Sequence, residues 1–127
     1  MSVIETAIAP RSSQLREARR WLREGIGVET AIEPGHADAL ESVATELLGA
    51  AIDGGVRKPV TLSVQVFARL TSVRVRCPNN IELRDDPFGM RQRVLQGLAF
   101  AWGKRSYAAG SVDLWAEVAR PASGADG

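Results

Sequence analysis

The sequence holds a single cysteine, Cys77, and a single histidine, His36, in 127 residues. An internal disulfide needs two cysteines, and structural zinc sites need four ligands drawn mostly from Cys and His, so both kinds of staple are excluded. No run approaches the roughly 18 consecutive apolar residues of a membrane span. The first ten residues also lack the basic stretch and apolar stretch of an export signal, which makes the cytoplasm the expected location. Charge of one sign is not in excess: 16 Lys and Arg against 15 Asp and Glu leave a net charge of +1. There is no global attraction toward nucleic acid or an anionic membrane. Aromatic residues make up only 6% of the chain, too few for an extended base-stacking surface.

What remains is an ordinary globular composition, 45% hydrophobic and 24% charged. A chain of this length buries enough surface for one autonomous domain, expected over residues 1–120 with a frayed tail at 121–127. Residues 3–8 suit a short strand, closed by Pro10, and Ser12 or Ser13 can cap a helix over about 14–24. Leu15, Ala18 and Leu22, with Trp21 beside them, mark its inner face, and Gly25 and Gly27 are expected to stop it. After a polar loop holding Pro34, Gly35 and an exposed or capping His36, a second helix shows apolar residues at Leu40, Val43, Ala44, Leu47, Leu48 and Ala51. Gly54 and Gly55 end it.

The period then changes from 3.6 to 2. Val60, Leu62, Val64 and Val66 alternate with polar neighbours, and Val73, Val75 and an inward Cys77 alternate with Arg74 and Arg76, which predicts a hairpin. A third helix is expected over 88–102, with Met90, Val94, Leu98 and Ala101 inward and Gly103 as its stop. Residues 104–107 and 112–119 complete a closing hairpin. The order β-α-α-β-β-α-β-β predicts an α+β two-layer sandwich, a mixed but mostly antiparallel sheet covered on one face by three helices. Charge is unevenly spread along this order. Arg11, Arg16, Arg19, Arg20 and Arg23 lie on or before the first helix, whereas residues 25–55 hold Glu29, Glu33, Asp38, Glu41, Glu46 and Asp53 and no Lys or Arg.

Three strings give this order a family likeness: Ala18-Arg19-Arg20-Trp21-Leu22, Thr45-Glu46-Leu47-Leu48-Gly49-Ala50-Ala51, and Trp102-Gly103 followed by Val112-Asp113-Leu114-Trp115-Ala116-Glu117-Val118. Over nearly its whole length the chain resembles the small ATPase domains of the histidine-kinase and gyrase (GHKL) type, and within them the actinobacterial anti-sigma-factor serine kinases. The resemblance implies three nucleotide boxes. At the first, Glu46 matches the catalytic Glu, but Ala50 stands where the family has a Mg²⁺-holding Asn, and a methyl group cannot ligate a hard cation. At the second, Cys77 stands in place of the Asp that accepts from the adenine amino group, and a thiol is a weak acceptor. At the third, Gly89 matches the first glycine of a phosphate-binding Gly-x-Gly while Arg91 occupies the second, where a guanidinium would itself have to meet phosphate.

Losses at Mg²⁺, adenine and phosphate together predict a fold retained for its surface, without a cofactor and without ATP hydrolysis. Glu46 is then a vestigial base, and Gly89 and Arg91 a vestigial phosphate cradle. The expected role is transcriptional signalling through a protein partner, a sigma factor or an anti-sigma antagonist, engaged by Arg16, Arg19, Arg20, Trp21 and Arg23. Arg and Trp are enriched at interface hot spots. A second copy is the other expected partner, its acidic segment meeting this basic helix in a symmetric dimer. Two alternatives stand beside this reading. One is an active ATP- and Mg²⁺-dependent serine/threonine kinase with Glu46 as base and Asp85 or Asp86 substituting at adenine. The other is a nucleic-acid binder using Arg74, Arg76, Arg91, Arg93, Lys104 and Arg105.

Overall fold

The computed structural model describes residues 2–29, 32–78 and 88–121. Asp85, Asp86 and residues 122–127 of the tail expected at 121–127 lie outside the described residues. The described elements are β1 (Ser2–Ile8), α1 (Leu15–Glu29), α2 (Pro34–Asp53), β2 (Val60–Val66), β3 (Leu70–Cys77), α3 (Gln92–Leu98), β4 (Ala101–Ser106) and β5 (Val112–Ala119). Short 3-10 turns at Ser12–Gln14 and Gly89–Arg91 lead into α1 and α3.

The five strands form one sheet in the order β1-β2-β3-β5-β4, and every neighbouring pair is antiparallel. Alternation along the strands divides it into two faces. On one face Leu62 opposes Val75, which opposes Leu114, and Val64 opposes Val73, which opposes Ala116. All six are fully buried, and they form one core with Ala18 and Leu22 of α1, Leu40 and Leu47 of α2, and Leu95 of α3. The helices therefore cover this face, as the α+β sandwich requires.

Several boundaries depart from the sequence expectation. Helix α1 runs through Gly25 and Gly27 instead of stopping there. A Cβ on Gly25 would come within 2.9 Å of Ile4 Cδ1, so this glycine lets the helix approach β1 and carry Ile26 into the core. That burial offsets the roughly 1 kcal/mol that glycine costs a helix relative to alanine. Helix α2 begins at Pro34 and not near Leu40. Proline at the first helical position lacks only an N–H that no helical carbonyl would accept, so Pro34 starts the helix rather than marking a loop. His36 is consequently buried, 3% exposed, instead of lying in a loop.

Helix α3 is shorter than expected, and Trp102 and Gly103 belong to β4, where they pair with Ala116 and Trp115. Backbone pairing with β5 ends the helical pattern that the apolar residues continue. The inner face shifts with it: Leu95 is fully buried while Met90 and Val94 are 84% and 41% exposed, so those two do not point inward. The sheet strands also start earlier, β3 at Leu70 and β4 at Ala101.

Candidate functional site

Glu46, Gly49 and Asp53 succeed one another at i, i+3 and i+7 on α2 and so share one helical face. Arg91, at the end of the 3-10 turn before α3, lays its guanidinium against that face. One terminal nitrogen is 3.0 Å from Glu46 Oε1 and the other 2.8 Å from Asp53 Oδ2. Gly49 makes this approach possible, because a Cβ there would stand 2.5 Å from the guanidinium carbon. Burial works against the charge of Arg91, but the hydrogen bonds to Asp53 and Glu46 outweigh it and raise its pKa. The two-pronged geometry suits the planar guanidinium and not the point charge of a lysine.

The remaining box positions are placed as follows. Ala50 is fully buried in the core and offers no oxygen. Cys77, at the end of β3, is fully buried, and burial with help from the nearby Asp113 charge pushes its pKa up to about 11. It is a core thiol, protonated at neutral pH. Gly89 takes a left-handed backbone conformation with φ of +53°, and the space where a side chain would project is open. Among the described residues no group of three His, Cys, Asp or Glu side chains is arranged to hold a metal ion.

A groove of about 370 Å³ adjoins Glu46 on the outer side of the helical layer, lined by Arg19 and Arg23 of α1, Asp38, Glu41, Ser42, Thr45 and Glu46 of α2, and Val94 of α3. It thus brings two of the residues expected to meet a partner together with the expected vestigial base. Arg23 is ion-paired to both Asp38 and Glu41, which clamps α1 to α2. Arg16, Arg19 and Arg20 are exposed, with Arg20 3.8 Å from Glu17, and Trp21 is half-buried against the core. The acidic segment meets further cations of the same chain: Arg91 at Glu46 and Asp53, and Arg120 3.5 Å from Glu33.

The six residues of the nucleic-acid alternative do not converge. Arg74, Arg76 and Arg105 share the helix-free face of the sheet, by their alternation with the core residues, whereas Arg91 is engaged on α2. Two features escaped sequence reasoning. His36 shares a 2.9 Å hydrogen bond between Nε2 and Thr71 Oγ1, both groups buried, joining α2 to β3. Asp113 is 1% exposed although it faces away from the core. It accepts from Arg76 Nε at 2.8 Å, from a terminal Arg76 nitrogen at 3.0 Å and from the Tyr107 hydroxyl at 2.8 Å. Only the register of β3, β5 and β4 could have revealed that cluster.

No protein-family model matches the sequence, and no curated protein matches it. Solved structures do. The chain is similar to the crystal structure of the RsbU and RsbW domains of Rv1364c from Mycobacterium tuberculosis, with a TM-score of 0.69 and 14% identity over 96% of this chain and 34% of that one. It is also similar to the Acinetobacter baumannii histidine kinase AdeS, with a TM-score of 0.55 and 10% identity over 96% of this chain and 70% of that one. The chain spans about a third of the length of the first of these. At such identities the likeness shows the fold alone, one shared with these two solved structures, and it agrees with the fold that the sequence strings implied. No described helix is long and apolar enough to cross a membrane.

Proposed function

We propose that the chain is a regulatory protein-interaction module built on a histidine-kinase-like ATPase fold, resembling an anti-sigma factor but working without nucleotide. One observation carries this reading: the Arg91 guanidinium lies on α2 between Glu46 and Asp53. A carboxylate that activates a hydroxyl must have an oxygen turned toward the proton it takes. Oε1 of Glu46 is instead committed to an internal cation. That cation lies on the helix where the family resemblance implies Mg²⁺, and Ala50 supplies no ligand to compete for a metal. Cys77, a protonated core thiol, is a poor acceptor for an adenine amino group.

The engagement of Arg91, the methyl of Ala50 and the buried thiol of Cys77 support a reading in which the exposed surface acts and a magnesium nucleotide does not. Arg19 lines the groove, Arg16 and Arg20 are exposed on the same helix, and exposed Val94 adds an apolar contact. A partner offering acidic groups around an apolar side chain suits this surface, and a sigma factor or an anti-sigma antagonist is the class the resemblance suggests. Titration calorimetry of the whole chain with MgATP tests the nucleotide part. The expected result is no binding heat at about millimolar nucleotide, whereas micromolar affinity abolished by Glu46→Ala would establish the kinase reading in its place.

A further inference from the structure

The face of the sheet opposite the helices carries its own cavity, about 170 Å³, lined by Arg74, Arg105, Tyr107, Asp113, Trp115 and Glu117 together with Ser72. Register fixes how these residues are arrayed. Arg76, Asp113 and Arg105 stand side by side across β3, β5 and β4, then Arg74, Trp115 and Gly103, then Ser72, Glu117 and Ala101. A Cβ on Gly103 would lie 3.1 to 3.3 Å from the Trp115 indole, so the glycine lets the ring spread over β4 as an apolar floor.

The charges at one end do not cancel. Asp113 accepts from Arg76 and Tyr107, and Arg76 gives its Nε and one terminal nitrogen to that pairing while stacking 5.1 Å from the centre of the Tyr107 ring. Arg74 reaches Asp113 at only 3.6 Å with 40% of its side chain exposed, and Arg105 is exposed with no ion pair among the described residues. Two cations therefore flank the indole with their main hydrogen-bonding capacity unspent. Glu117, at the far end, adds the opposite charge. The volume decides what can enter, since sites for small organic ligands start at about 300 Å³. A space of 170 Å³ suits one side chain.

We infer that this cavity receives a single carboxylate side chain, Glu or Asp, from a polypeptide partner, its charge between Arg74 and Arg105 and its methylene stem on Trp115. A polypeptide is favoured over a free acid because an exposed ion pair alone is weak, whereas a side chain delivered by a docked chain gains from the flanking contacts. Glu117 repels a second carboxylate and so orients the incoming segment. Because the cavity lies on the sheet and not on the helical layer, this inference stands or falls independently of the α1 surface and of nucleotide binding.

The test is an NMR titration of the whole ¹⁵N-labelled chain with the peptide acetyl-Ala-Ala-Glu-Ala-Ala-amide, its Gln counterpart, sodium acetate and sodium phosphate. The Glu peptide is expected to shift the Trp115 indole and the Arg74 and Arg105 side-chain signals saturably, and the Gln peptide is not. In Arg105→Ala the affinity should fall at least about tenfold, with spectral dispersion unchanged because Arg105 is exposed on an edge strand. Equal affinity for the Gln peptide, or no saturable shift, overturns the proposal. Acetate or phosphate binding as tightly as the Glu peptide would assign a small-anion site instead. Shifts of the same signals on concentrating the chain alone would assign the face to a second copy.

Discussion

Gly49 and Arg91 work as a pair, and substitution of either tests the same contact from opposite sides. Arg91→Ala leaves Glu46 and Asp53 on one helical face with no counter-ion and removes two charge-assisted hydrogen bonds. Because Arg91 is 28% and Asp53 61% exposed, the loss is expected to be about 1–2 kcal/mol, below that of a fully buried pair. Urea unfolding should register it as a lower midpoint with the same slope. Gly49→Ala puts a methyl where the guanidinium lies, and a flexible side chain can withdraw at little cost beyond the lost pairing. The double variant should therefore cost clearly less than the sum of the singles. An additive result would mean that Arg91 does not rest on Gly49. Glu46 was legible in sequence as a match to the family pattern and Arg91 as a departure from it, but their contact was not, since 45 residues separate them and nothing local says which carboxylate an arginine will choose.

Cys77 gives the second test at this scale. The hydrophobic alternation of β3 already pointed it inward, and the structure adds how firmly it is sealed. With a pKa pushed up to about 11, almost none of it is thiolate at about pH 8. Iodoacetamide should leave the native chain unmodified over hours and label it completely in denaturant. Fast labelling of the native chain would mean that the end of β3 opens.

At the scale of elements, α2 is held at both ends by polar contacts that its apolar periodicity does not reveal. Near its start, His36 meets Thr71 of β3, and near its end Asp53 meets Arg91. Thr71→Val should cost about 1–3 kcal/mol, because the imidazole stays buried without its partner. Burial lowers the His36 pKa below its ordinary value, against an upward pull from Glu33 and with a further downward one from Arg120. A base whose folded pKa is depressed contributes full stability above its unfolded pKa of about 6.5 and loses it as pH falls from there through the folded value. Urea midpoints should thus decline below about pH 6.5, and the decline should be absent in His36→Gln even if that variant starts less stable. Local reading fails at three places in these elements. Pro34 starts a helix because the first helical position tolerates a missing N–H, whereas Gly25 sits inside one through its close approach to β1 and Trp102 leaves one through the register of β4 with β5. The strands and the centre of α2 were legible since their apolar spacing and their packing demand the same residues.

Across the whole molecule, the near-zero net charge is an internal balance. The acidic segment between residues 25 and 55 is met by Arg23 at Asp38 and Glu41, by Arg91 at Glu46 and Asp53, and by Arg120 at Glu33. These cations come from α1, from the turn before α3 and from the end of the chain beyond β5, so charge pairing ties distant parts of one copy together. That has a consequence for self-association. A symmetric dimer in which each acidic segment meets the other copy's basic helix would first have to break these pairs, leaving mainly Arg16, Arg19 and Arg20 to supply attraction. Exposed pairs are worth at most about 1 kcal/mol each and are screened within roughly 10 Å at about 0.1 M salt. Sedimentation of the chain should therefore give the same mass at about 50 mM and about 500 mM salt. A dimer present only at low salt would show that the copies exchange their pairs, and charge reversal at Arg19, which leaves the Arg23 clamp intact, should then abolish it.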